Sequence, residues 1–159
     1  MAQLRTALSE AGLEEVRTYI QSGNVIARSP LATKQIEQVV HRVIAEHIGA
    51  DITVIARTSS QLNSVLQHNP FAQDDLSRVY FSLLASTPES SLTQAMQEMD
   101  TAPDRIRIVG DTLYTLYATR LSDSRYTNNY FERKLKVAAT TRNFNTLSRL
   151  VALSNCAAS

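Results

Sequence analysis

Leu4, Leu8 and Ala11 recur at helical spacing and Gly12 follows them, so the chain is predicted to open on a helix that stops at that glycine. Two β-rich runs, residues 16–20 and 25–27, flank Gln21-Ser22-Gly23-Asn24 and predict a hairpin, with Gly23 supplying the positive φ of a tight turn. Ile36, Val39, Val40, Val43, Ile44 and Ile48 mark one face of a long amphipathic helix closed by Gly49. Residues 51–57 (DITVIAR) are predicted to form a strand. Thr58 and Gln61 match a capping box, in which a hydroxyl and an amide satisfy each other's free backbone donors. The short helix they begin carries Leu62, Val65 and Leu66 and ends at Asn69-Pro70.

The second half repeats the plan. Residues 79–84 (VYFSLL) read as a buried strand, and Thr87-Pro88 as the start of a helix that turns Leu92, Met96 and Met99 inward. Residues 105–109 and 112–117 flank Gly110-Asp111, a strong two-residue hairpin signal. Helices over about residues 125–136 and 142–153 complete the chain.

Each half therefore holds helix, hairpin, helix, and the second half adds a strand in front. That is the split βαβ order, so the expected class is α+β with two ferredoxin-like halves, the first lacking its leading strand. One domain over residues 1–159 is expected. It comprises a first half of about 1–58, a linker helix of about 59–70 and a second half of about 71–159. The opening helix begins on Ala2 and Gln3, with no Ser, Thr, Asp or Asn before them as a cap.

Composition narrows the class. Of 159 residues, 43% are hydrophobic and 19% charged, which supports a real core and argues against a disordered chain. No apolar run approaches the about 20 residues needed to span a bilayer, and residues 1–10 show no export-signal pattern, so no membrane association and a cytoplasmic location are expected. The lone Cys156 has no partner for an internal disulfide. Net charge is only +1, but residues 120–159 carry seven basic against two acidic side chains, a local +5, while residues 1–119 carry −4. A basic C-terminal quarter suits an anionic ligand or a solvated helix face.

Arg17-Thr18-Tyr19-Ile20-Gln21-Ser22-Gly23-Asn24-Val25 resembles the hallmark stretch of the bacterial family of uncharacterised proteins called domain of unknown function 1697 (DUF1697). Thr140-Thr141-Arg142-Asn143-Phe144-Asn145-Thr146, the Asn69-Pro70-Phe71 turn and Ser124-Arg125-Tyr126-Thr127-Asn128 resemble further landmarks of that family, in its order. The resemblance implies a strand and a glycine-rich turn, of the form L-R-G-I-N-V-G-G, ahead of a stretch like Met1-Ala2-Gln3-Leu4, and hence a late-start or truncated chain. Arg125 stands where the family usually has lysine, Lys136 where it favours glycine, Ala138 where it favours proline and Phe144 where it favours tryptophan.

The strongest candidate chemistry is an anion site made of Thr140, Thr141, Arg142, Asn143 and Asn145. Thr141 is read as the N-cap of the last helix, whose free N–H groups and dipole favour negative charge. Arg142 would add a bidentate fork, and Ser124, Arg125 and Asn128 are expected at the start of the preceding helix, facing the same space. Capping and loop hydrogen bonds explain the same residue types without a ligand. A second patch is Tyr19, Gln21, Ser22 and Asn24, which also reads as ordinary turn chemistry. His41 and His47 fall on different helix faces, and no Cys/His cluster predicts a metal site or a cofactor. Tyr114 and Tyr117 alternate across a strand and cannot stack neighbouring bases together.

Three functions follow as expectations: a binding module for a phosphate-bearing or other anionic ligand, nucleic acid being the weaker version; an enzyme acting on a small anionic metabolite, for which no general base is visible; and a partner-binding protein using an exposed sheet edge.

Overall fold

A computed structural model describes residues 2–18 and 23–158. The chain divides into two compact units, Met1–Asn63 with Arg149–Ser159, and Ser64–Ser148. The class is α+β, with two antiparallel sheets.

The first unit begins with helix α1 (Ala2–Glu10), hairpin strands β1 (Glu14–Thr18) and β2 (Val25–Arg28), and helix α2 (Thr33–His47). Leu4, Ala7 and Leu8 of α1 and Val40, Val43 and Ile44 of α2 form its core, with Leu13. The predicted helical spacing thus marks the buried faces. Gly12 turns the chain at φ +108 after α1, a conformation that L side chains rarely adopt. Ile48 departs from the expectation: it caps α2 and is 57% exposed, one position past the end of the helix.

Residues 51–57 form no ladder, which corrects the strand expected there. The segment is tied to α2 by side chains instead. Glu37 Oε2 accepts the Ala56 N–H at 2.8 Å, and His41 Nε2 lies 2.8 Å from Asp51 Oδ1. Val54 packs on the same core as Val25, so a β-favouring side chain is used while the backbone lacks a ladder partner among the described residues.

Helix α3 (Ser59–Gln67) starts at the predicted capping box: Thr58 N–H donates to Gln61 Oε1 at 2.8 Å, and Gln61 N–H to Thr58 Oγ1 at 3.1 Å. The second unit then runs β3 (Val79–Leu84), α4 (Ser90–Glu98), β4 (Arg105–Val109), β5 (Thr112–Leu116), α5 (Asn128–Leu135) and β6 (Ala139–Asn143), before α6 (Phe144–Ala158). Its sheet order is β4-β5-β3-β6. β3 is central, with Phe81 opposite Tyr114 of β5 and Arg142 of β6. This explains its apolar run, because a strand covered on both faces has no solvent side to mark with polar residues. Leu84, Leu113, Tyr117, Ile106 and Ile108 face Met96, Phe131 and Leu135 in the main core. Gly110 makes the β4–β5 turn at φ +61, as the Gly-Asp signal predicts.

Helix starts differ from the sequence reading. α4 begins at Ser90, so Pro88 precedes the helix, and α5 begins at Asn128 with Thr127 as its cap. The strand β6 was not expected. Its polar sequence ATTRN hides the signal, and only the β-branched pair Thr140-Thr141 hints at it.

Candidate functional site

β6 decides where the predicted anion-site residues go. Side chains alternate across a strand, so Thr141, opposite Ser82, lies on one face, while Thr140 and Arg142 lie on the other. The predicted cluster is thereby split by the sheet itself.

On the first face the polar groups close into a chain. Thr141 Oγ1 lies 2.8 Å from Ser82 Oγ and donates to Asn128 Oδ1 at 2.8 Å. Asn128 Nδ2 donates to the Ala139 carbonyl at 2.9 Å, and Glu132 accepts the Ala139 N–H at 2.9 Å. A hydroxyl has one proton, so Thr141 donates to Asn128 and accepts from Ser82. These bonds hold the edge strand to α5, and among the described residues no basic side chain is hydrogen-bonded to either hydroxyl. Ser82, fully buried, is the member that sequence reasoning missed, since inside VYFSLL it looks like part of an apolar strand.

On the opposite face Arg142 is half-buried. Its Nη1 donates to Thr140 Oγ1 at 2.7 Å and to the Thr141 carbonyl at 2.9 Å. Burial pushes the guanidinium pKa down from its ordinary value. Asn143, not Thr141, caps α6: its Oδ1 accepts the Thr146 N–H at 2.8 Å. Thr141 cannot cap because it sits inside the ladder.

The remaining predicted residues lie apart. Ser124 precedes α5 rather than starting it, donates to Asp104 Oδ2 at 2.9 Å and accepts the Tyr126 N–H at 3.1 Å. Asp104 is buried and also accepts the Ala118 N–H at 2.8 Å, so this set fixes loop backbone. Arg125 and Asn145 are exposed. Of the second patch, Tyr19, Gln21 and Ser22 lie outside the described residues, and Asn24 is buried.

Tyr114 and Tyr117 are both buried, on different faces of β5 and the residue after it. The Tyr114 hydroxyl donates to the Val65 carbonyl at 2.8 Å, and Tyr117 donates to the Tyr126 carbonyl. Desolvation, with Asp111 adding to it, pushes Tyr114 up to about 12, and desolvation raises Tyr117 as well. Among the described residues no group of three His, Cys, Asp or Glu side chains is placed to hold a metal ion. None of the described helices is long and apolar enough to cross a membrane.

Residues 1–114 match the family described as protein of unknown function (DUF1697). The chain belongs to that family. The DUF1697 match takes in the hairpin motif around Gly23, and the motif at 140–146 lies beyond it. A similar solved structure is that of conserved bacterial protein SP0830 from Streptococcus pneumoniae, 20% identical, with a TM-score of 0.68 over 97% of this chain and 88% of that one. At that identity the likeness speaks for the fold alone. No curated protein matches the chain.

One departure from the DUF1697 pattern acquires a physical meaning. Lys136, where the family favours glycine, is the C-cap of α5 at φ 57 and ψ 36. The left-handed region is where glycine ends a helix without strain.

Proposed function

We propose that this DUF1697 protein is a partner-binding module whose first unit takes one extended strand of another polypeptide along β2. This reading treats the two units as versions of one ferredoxin-like plan. The observation that carries it is the state of β2. β1 pairs one side of β2, while its other side has no ladder partner among the described residues. Residues 51–57 run without a ladder in the same unit, and their Val54 shares a core with Val25. In the second unit the elements in the same order, β5 and β6, flank β3. An added strand gains affinity from main-chain hydrogen bonds and selectivity from alternate side chains. The preferred occupant is an apolar segment of about six residues, a typical strand length, like β3 itself.

The test is hydrogen exchange on the full chain with and without a soluble peptide bearing the sequence VYFSLL. Slowed exchange at Val25–Arg28 and across 52–56 is expected. Unchanged exchange there at saturating peptide would end the reading.

A second reading, binding of a phosphate-bearing or other anionic ligand, is supported by the half-buried Arg142 in the basic C-terminal quarter. Such a ligand raises the melting temperature of the native state, and the rise should vanish in Arg142→Ala with the fold intact. A nucleic-acid version also requires affinity that falls steeply with salt. An enzymatic role would need a general base, and among the described residues none is hydrogen-bonded to the Ser82–Thr141–Asn128 chain.

A further inference from the structure

We infer that the second unit carries a separate binding cleft for a small organic phosphate, at the end of the sheet where β3 begins and β5 ends. The cleft has a volume of about 490 Å³ and is lined by Arg78, Tyr80, Tyr117, Thr119, Arg120 and Asp123, among others. None of these residues belongs to the Arg142 cluster.

Its two cations differ in a useful way. Arg78 is held in place: Nη1 donates to the Ala118 carbonyl at 2.6 Å, and Nε lies 3.7 Å from Asp75 Oδ2. Asp75 is itself fixed, since its Oδ1 accepts the Ser77 N–H at 3.0 Å and the Ser77 hydroxyl at 2.7 Å. Arg120 is exposed, and its guanidinium makes no hydrogen bond or ion pair among the described residues. A preset guanidinium beside an unengaged one matches a doubly charged phosphate, to which arginine offers paired donors.

The floor adds shape. Tyr117 is almost wholly buried and its hydroxyl is committed to the Tyr126 carbonyl, so it closes the floor and offers the ligand no polar group. Tyr80 meets it edge to face, with centroids 5.3 Å apart, and is only partly buried. A flat ring on the ligand can therefore lie against Tyr80. Asp123 is exposed and also lines the cleft, so its carboxylate opposes added negative charge, more strongly for a polyanion than for one phosphate. The cleft thus favours a single phosphate attached to a ring over a nucleic-acid backbone.

The test is a nuclear magnetic resonance titration of the whole protein with adenosine monophosphate, inorganic phosphate and adenosine. The monophosphate is expected to shift amides at 78–80 and 117–123 and to bind at least tenfold tighter than adenosine. Arg120→Ala, at an exposed and unpaired position, should weaken it about tenfold or more. Tyr80→Leu should weaken the monophosphate and leave inorganic phosphate unchanged. Unaltered affinity in Arg120→Ala, shifts confined to other residues, or adenosine binding as tightly as its monophosphate would each overturn the assignment.

Discussion

The hairpin of β1 and β2 and the hairpin of β4 and β5 stand at the same place in their units, between two helices, yet they are supported differently. β5 pairs on both sides, with β4 and with β3. β2 pairs on one side only among the described residues. β5 is correspondingly buried at four of its five positions, whereas β2 has one buried residue, Ile26, and two exposed ones. The first pair also carries an irregular register between Glu14 and Arg17, with Glu15 at φ 52. A bulge of this kind bends a strand and leaves one residue unpaired. Two similar element orders therefore give one hairpin locked inside a sheet and another paired, among the described residues, only within itself. A two-stranded ribbon is marginal by itself, so the first unit depends on the packing of α1 against α2.

The largest effect should come from the centre of the better-supported sheet. Phe81 is fully buried and meets Tyr114 edge to face at 5.6 Å. Phe81→Ala should cost about 3–5 kcal/mol, read from the midpoint of denaturant unfolding. Native-state hydrogen exchange sharpens the contrast: amides of β3 and β5 should open only at the highest free energies, and those of β1 and β2 well below them. Equal protection of the two hairpins would break the comparison.

Next in size is the polar chain behind β6. Asn128→Ala removes the acceptor of Thr141 and the donor to the Ala139 carbonyl, leaving Thr141 with Ser82 alone and two part-buried groups short of a hydrogen bond. A loss of about 1–3 kcal/mol is expected by thermal or denaturant unfolding. No loss would mean that the chain does not hold the edge strand.

How far the sequence could have led is clear from these same elements. The capping box at Thr58, the Gly-Asp turn and the buried run of β3 were legible because each rests on local chemistry. The strand expected at 51–57 was misread, since its composition is strand-like and only tertiary pairing decides whether a ladder forms. β6 was missed for the opposite reason: a polar edge strand acquires its identity from β3. That omission carried the site with it. Thr141 looks like a helix cap when the strand before α6 is unseen, and one face of a helix does not warn that Thr141 and Arg142 point to opposite faces of a sheet. Ser82 could not be found, because nothing local distinguishes a buried strand serine that bonds across strands from one that does not.

Alkaline pH probes the second unit again, through its tyrosines. Burial raises Tyr114 in the folded chain to about 12, above its unfolded value of about 10. The neutral phenol is thus favoured by folding. Its contribution is whole below pH about 10 and is lost as pH rises towards 12. After discounting for screening, the loss is on the order of 1–2 kcal/mol. Unfolding midpoints measured from pH 9 to 12 should fall across that interval, and the fall should be smaller in Tyr114→Phe. A flat profile would show that the ring is better solvated than its packing indicates.

The smallest expected effect has the opposite sign. Lys136 ends α5 at φ 57, its N–H donating to the Glu132 carbonyl at 2.9 Å. The backbone closure is sound, and the strain belongs to the Cβ, which crowds the following carbonyl in this region. Glycine removes that clash but brings more freedom to the unfolded chain, so the two effects partly cancel. Lys136→Gly should still stabilise by about 0.5–1 kcal/mol, seen as a higher melting temperature. The first unit has a matching position for contrast: Gly12 already holds the left-handed conformation after α1, and Gly12→Ala there should destabilise by a similar amount. If Lys136→Gly failed to stabilise while Gly12→Ala destabilised, the lysine would be retained for a contact of its side chain, and the exposed basic turn at the end of α5 would become the place to look for it.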